Sequence, residues 1–217
     1  MTTLSRKPFE CAFCGKVFQD DIAVGSSISS AQDTDFRMHS IGVQAITHCV
    51  HTCPFCGFTD DLHEEELQTE ERERILEYLT TCWLGERPGS LSSTQKYELL
   101  AKLFILRNRP SMEIARVYLK AAWMAEDESN LELGNRFREC ARDFLVRALE
   151  THEVEQETTP LITYLVGELN RRLGKFNEAV EWFSRVRSED PRLAELCRRQ
   201  EFLAFIQTSV NARIPEG

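Results

Sequence analysis

The chain has 217 residues, 42% hydrophobic and 28% charged, with 7 Pro and 10 Gly, figures that fit one medium domain or two small ones and exclude collagen-like, mucin-like and wholly disordered chains. A net charge of −9 argues against general affinity for nucleic acid or anionic membranes. No apolar run approaches the roughly 18 residues of a membrane span and none follows Arg6 and Lys7 as a signal peptide would, so a cytoplasmic protein without a membrane partner is expected.

The first strong local signal is Cys11-Ala-Phe-Cys14-Gly15, and it returns as Cys53-Pro-Phe-Cys56-Gly57. Two residues between cysteines let a tight turn aim both sulfurs at one ion, and the following Gly takes the positive φ that such a turn requires. Two knuckles supply Cys11, Cys14, Cys53 and Cys56, a closed four-thiolate set suited to structural zinc; iron takes the same ligands. A redox dithiol would need a βαβ context, which flanks neither pair. The knuckles are 38 residues apart, more than a compact ribbon holds, so a folded insertion is expected between them.

That insertion, with Val17, Phe18, Ile22, Val24, Phe36, Ile41, Val43 and Ile46 spaced by Ser, Gly and Asp, reads as short strands and turns. Residues 1–60 are therefore expected to form a metal-stapled ribbon of β-hairpins. Within it, Asp33 and Asp35 would share a strand face and, with His39, Cys49 and His51, form a candidate accessory site for a divalent cation. The plainer reading makes Asp33 a backbone cap, packs Cys49 as a small apolar residue and leaves His51 half exposed.

Residues 61–90 open with a heavily charged stretch and read as a helical linker, broken at Gly85–Gly89. Residues 91–217 are expected to be helical. Ser92 and Gln95 form a capping box for a helix through Leu106, Pro110 and Ser111 start a second, and a third runs from about Leu131 to Glu153. Pro160 opens a fourth that Gly174 ends, Phe176 begins a fifth, and Pro191 begins a last one. Gly167, the pair Ala179 and Phe183, and Pro191 resemble the spacings of a tetratricopeptide repeat, although Thr163, Val166 and Asn170 depart from its pattern. Such repeats bind peptides in a concave groove, for which Tyr164, Glu168 and Arg171 form a candidate stripe. Cys82, Cys140 and Cys197 fall on helix stripes as buried thiols.

Taken together, the two knuckles, Asp33-Thr-Asp-Phe36, Ala121-Ala-Trp123, Tyr164-Leu-Val-Gly-Glu-Leu169, Arg171-Arg172 and Trp182-Phe-Ser184 resemble domain-of-unknown-function family twenty-two twenty-five, from about residue 9 to 190. The resemblance implies a bacterial zinc-ribbon-plus-repeat protein of α+β class, with no activity to carry over. Gln32 stands where that family is expected to place Arg, Phe58 where it places Tyr, and an Asn-Pro-x-x-Tyr approach to the second knuckle is missing. The first of these departures implies an aspartate loop short of an ion-pair partner.

No Gly-x-Ser-x-Gly, phosphate loop or dinucleotide fingerprint occurs. The reading that follows is a non-enzymatic adaptor with a protein or peptide partner. A metal-dependent or phosphoryl-transfer enzyme centred on Asp33, Asp35 and His39 is the alternative. A nucleic-acid reader ranks below both, because residues 1–60 carry 4 basic against 6 acidic groups.

Overall fold

The computed structural model describes residues 3–25, 29–61, 66–81 and 91–214. Cys82, Trp83, His63, Ile28 and the Gly85–Gly89 break lie outside the described residues. The chain divides into two compact units, one from residues 1–28 and 40–109, the other from 29–39 and 110–217. Residues 29–39 thus group with the helical unit, while residues 66–81 and 91–109 group with the ribbon.

In the first unit each knuckle is the turn of a hairpin. Strand β1 (Thr3–Glu10) pairs antiparallel with β2 (Val17–Val24), Glu10 opposite Val17, so that residues 11–16 close the turn. The next pair, β3 (Ser29–Gln32) with β4 (Met38–Ser40), belongs to the second unit except for Ser40, and β5 (His51–Thr52) pairs with β6 (Thr59–Asp60) in the first. Thr52 lies opposite Thr59, and residues 53–58 form the second knuckle turn. Helix α1 (Thr69–Thr81) buries Ile75 and Leu79. Helix α2 (Ser93–Leu106) starts at the expected capping box: the Ser92 hydroxyl accepts from the Gln95 amide, and the Gln95 side chain from the Ser92 amide. Leu99 and Leu103 of α2 join Ile75, Leu79, Phe58, Cys11 and Cys53 in one core. Two buried residues dock α1 despite its charged first turns, at about 1.5–3 kcal/mol per fully buried aliphatic side chain.

The second unit stacks α3 (Ser111–Asp127), α4 (Leu131–Glu150), α5 (Thr159–Arg172), α6 (Phe176–Arg185) and α7 (Pro191–Phe205), each packed on the next. Their starts follow the local signals: Asn130 caps α4, Asp190 caps α7, and Pro stands in the first turn of α5 and α7. Gly174 ends α5 with a φ of 74°. Ala179 and Phe183 of α6 face the core with Tyr164 and Cys197. Burial raises the Cys197 thiol to about 11, the behaviour of an inert core cysteine. No helix among the described residues is long and apolar enough to cross a membrane.

Gly167 marks the close approach of α5 and α6: a Cβ there would lie 2.7 Å from two ring carbons of Phe183. Because that ring is held within the core, Gly167→Ala should destabilise the helical unit by about 1–3 kcal/mol. Urea unfolding checks this; an unchanged midpoint would contradict the packing argument.

Candidate metal centre

Both knuckles close with the same pair of backbone bonds. Cys11 N–H donates to Lys16 O at 3.0 Å and Gly15 N–H to Cys11 O at 2.8 Å; Cys53 N–H donates to Phe58 O at 2.8 Å and Gly57 N–H to Cys53 O at 2.9 Å. Gly15 and Gly57 adopt φ of 71° and 79°, a conformation that a side chain would strain. The two turns face each other. Cys11 Sγ lies 3.6 Å from Cys56 Sγ, Cys14 Sγ 3.7 Å from Cys53 Sγ, and all four sulfurs fall within 4.8 Å of one another. A tetrahedral ion with metal–sulfur bonds of about 2.3 Å has sulfur–sulfur edges of about 3.8 Å, so the donor set fits a four-coordinate metal.

The electrostatics point the same way. Hydrogen bonding from the Cys56 thiol, together with backbone N–H groups and against burial, brings Cys11 down to about 5, while Cys56, as the donor, is pushed up. Thiols this close share protons, and a divalent cation replaces those protons with direct ligation. Cys11 and Cys53 are buried, and Arg72 braces the first knuckle by donating to Ala12 O at 2.9 Å and to Phe13 O.

Near the second knuckle the expected environments are exchanged. Cys49 is exposed, its Sγ 3.3 Å from Ala45 O. His51 is 3% exposed, stacks on Phe9 and pairs through Nδ1 with Asp20 Oδ2 at 2.9 Å. The reason is tertiary: β2 brings Asp20 to the imidazole and rewards its burial. Although burial opposes it, hydrogen bonding from His51 and the Asp21 amide, with Lys96 nearby, holds the Asp20 carboxyl below its ordinary value.

The expected accessory cation site is also corrected. Asp33 and Asp35 are both buried, and each is held by different groups. Asp33 Oδ2 lies 2.8 Å from His39 Nε2 and accepts from Asn211 Nδ2 at 2.8 Å. Asp35 Oδ2 accepts from the Trp123 indole at 2.8 Å and lies 3.5 Å from Arg172. Residues 33–36 form a turn, closed by Phe36 N–H donating to Asp33 O at 2.9 Å, so the two carboxylates do not share a strand face. Among the described residues, the four cysteines are the one group of three or more His, Cys, Asp or Glu whose ligand atoms converge. Nor does the loop lack ion pairs: Arg37 donates two bonds to Asp127, at 2.8 and 2.7 Å.

The candidate stripe Tyr164, Glu168 and Arg171 is fully buried and cannot serve as an open groove. The chain's own loop fills it. Tyr164 Oη donates to Thr34 O at 2.9 Å, and Thr34 Oγ1 donates to Glu168 Oε1 at 2.6 Å. Arg171 forks onto Glu168 at 2.8 and 2.7 Å, and its remaining nitrogen donates to Thr208 O and Val210 O. Beyond α7 the chain returns beside β3, where Thr34 N–H donates to Ala212 O and Ile214 N–H to Gln32 O. The peptide side of a peptide-in-groove arrangement is thus built into the same chain.

The family model described as an uncharacterized protein conserved in bacteria (DUF2225) matches residues 4–201. The chain belongs to that family. No curated protein and no solved structure matches the chain. In this DUF2225 protein the residues that sequence reasoning missed are the partners of the aspartate loop: Arg37, Trp123, Asp127, Arg172 and Glu126. Arg172 donates to Glu126 at 2.6 Å, and Arg138 pairs with the same carboxylate. Burial, with the charge of Arg172, lowers Arg138. One signal was available. Ala121-Ala-Trp123 and Arg171-Arg172 are among the strings that carry the family resemblance, as is Asp33-Thr-Asp-Phe36, and a polar motif together with a buried-helix motif suggests a contact between them.

Proposed function

We propose that this chain is a zinc-bearing, non-enzymatic adaptor of the bacterial cytoplasm. Four cysteinates staple the first unit, and the helical unit binds a protein partner. The observation that carries the reading is the convergence of Cys11, Cys14, Cys53 and Cys56 at sulfur–sulfur distances of 3.6 and 3.7 Å, close to a tetrahedral edge. Four protein thiolates leave no open coordination position, the mark of a structural site rather than a catalytic one. Reduced thiols of this kind suit a reducing compartment. On the helical side, Gly167, Ala179, Phe183 and Pro191 keep the spacing of tetratricopeptide repeats, a scaffold whose exposed faces bind segments of other proteins.

The test uses the full chain. Elemental analysis should return one zinc per chain, and affinity capture from the source bacterium's lysate should retain a saturable protein partner. Iron in place of zinc would turn the site into an electron-transfer centre. A second, exchangeable divalent ion, or folded protein that retains no partner, would overturn the adaptor reading.

A further inference from the structure

With its expected groove filled by residues 33–36, the helical unit offers, among the described residues, a concave surface that combines apolar walls with unpaired charge. A crevice of about 790 Å³ runs along the start of α7. Phe36, Leu161, Leu193, Leu196 and Ile214 line it, so the aspartate loop that closes one face of α5 also supplies a wall here. Arg192 and Arg199 stand at its edge, seven residues apart and therefore on one face of α7.

Two carboxylates share that edge, and each is engaged by another group. Asp190 is occupied as the N-cap of α7, accepting from the Arg192 backbone N–H at 2.9 Å, and Glu195 pairs with Arg198 at 2.6 Å. Neither the Arg192 nor the Arg199 guanidinium has a partner among the described residues. An arginine beside an apolar wall packs its stem on that wall and presents a planar fork to a carboxylate. The apolar surface then continues beyond the crevice. Along the row 192, 195, 199, the next positions are Phe202, 61% exposed, and Ile206, 49% exposed. From Arg192 to Ile206 the face extends about 20 Å at 1.5 Å per residue, the length of a four-turn helix rather than of a small molecule.

We propose that this face of α7 and the adjoining crevice dock an acidic amphipathic segment of the partner protein, its apolar side chains in the crevice and its carboxylates on Arg192 and Arg199. The inference rests on the adaptor reading and names the surface and the chemistry by which it works. It differs from a membrane-binding helix in being concave and in carrying two paired carboxylates beside its arginines.

The probe is a fluorescein-labelled 16-residue helical peptide with Leu at i, i+3 and i+4 spacings and Glu elsewhere, compared with a twin carrying Lys for every Glu. Fluorescence anisotropy with the zinc-loaded full chain should show saturable binding of the Glu peptide, at least tenfold tighter than its twin. The double variant Arg192→Glu/Arg199→Glu, in exposed positions that leave the melting curve unchanged, should reverse that order. Phe202→Ser should weaken the Glu peptide several-fold without changing the preference for sign. Equal affinity for both peptides, no saturation, indifference to the double variant, or binding to vesicles of anionic phospholipid in place of the peptide would each overturn the proposal. Should the double variant still capture the lysate partner, the docking surface is wrong and the adaptor reading stands. A wild-type chain that captures no partner fails the adaptor reading itself.

Discussion

Removing the metal, by a chelator or by Cys53→Ser, should unfold the knuckle end of the first unit while leaving α3–α7 folded. A structural four-cysteine zinc site contributes an apparent 10–16 kcal/mol or so to folding at neutral pH, more than a small hairpin module holds in reserve. The loss here spreads beyond the turns, because Cys11 and Cys53 belong to the same core as Phe58, Leu67, Ile75 and Leu79. Amide exchange should show protection lost in β1, β2, β5, β6 and α1, and retained in α3–α5; uniform retention would refute a structural role for the site. The pH dependence has a definite sign: metal retention should fail as the pH falls, since protons compete with the ion for sulfur. Zinc content measured across an acid titration checks this.

The second large effect is at Glu168. Its carboxylate and the Arg171 guanidinium are both 0% exposed and joined by two hydrogen bonds. Glu168→Ala strands a buried cation and removes the acceptor for Thr34, at about 3–5 kcal/mol, or a fall in melting temperature on the order of 10–20 °C for a unit of this size. The double substitution Glu168→Leu/Arg171→Met should be milder than Glu168→Ala alone, because an apolar pair leaves no charge uncompensated. Parity between Glu168→Ala and wild type would mean that Arg171 reaches water, and the loop at residues 33–36 would then not be seated as described.

These two predictions fall on opposite sides of what could be read from the residues alone. The knuckles were legible because each is a six-residue turn whose Cys spacing and Gly at positive φ carry their own geometry. The same holds for the Ser92–Gln95 box, the Asp190 cap, the first-turn prolines and the Gly174 stop, since capping bonds span three or four residues. Expectations at longer range failed for a common reason. Residue type alone made Cys49 a buried small apolar residue and His51 half exposed, yet Asp20, 31 residues from His51, decides where the imidazole lies. Periodicity placed Tyr164, Glu168 and Arg171 on one face correctly; it could not say that Thr34, 130 residues earlier, would occupy that face.

The sequence by itself determined the local pieces: where helices start and stop, which four sulfurs sit on knuckles, and which helix stripes are apolar. Tertiary structure alone decided how those pieces are grouped, sending residues 29–39 to the helical unit and α1 and α2 to the ribbon. The physical reason is that a buried charge must find its counter-charge wherever the chain can deliver it. Asp33 and Asp35 read as a strand-face pair or a backbone cap until Trp123, Arg172 and Asn211 close around them, and Arg37 finds its counter-charge in Asp127.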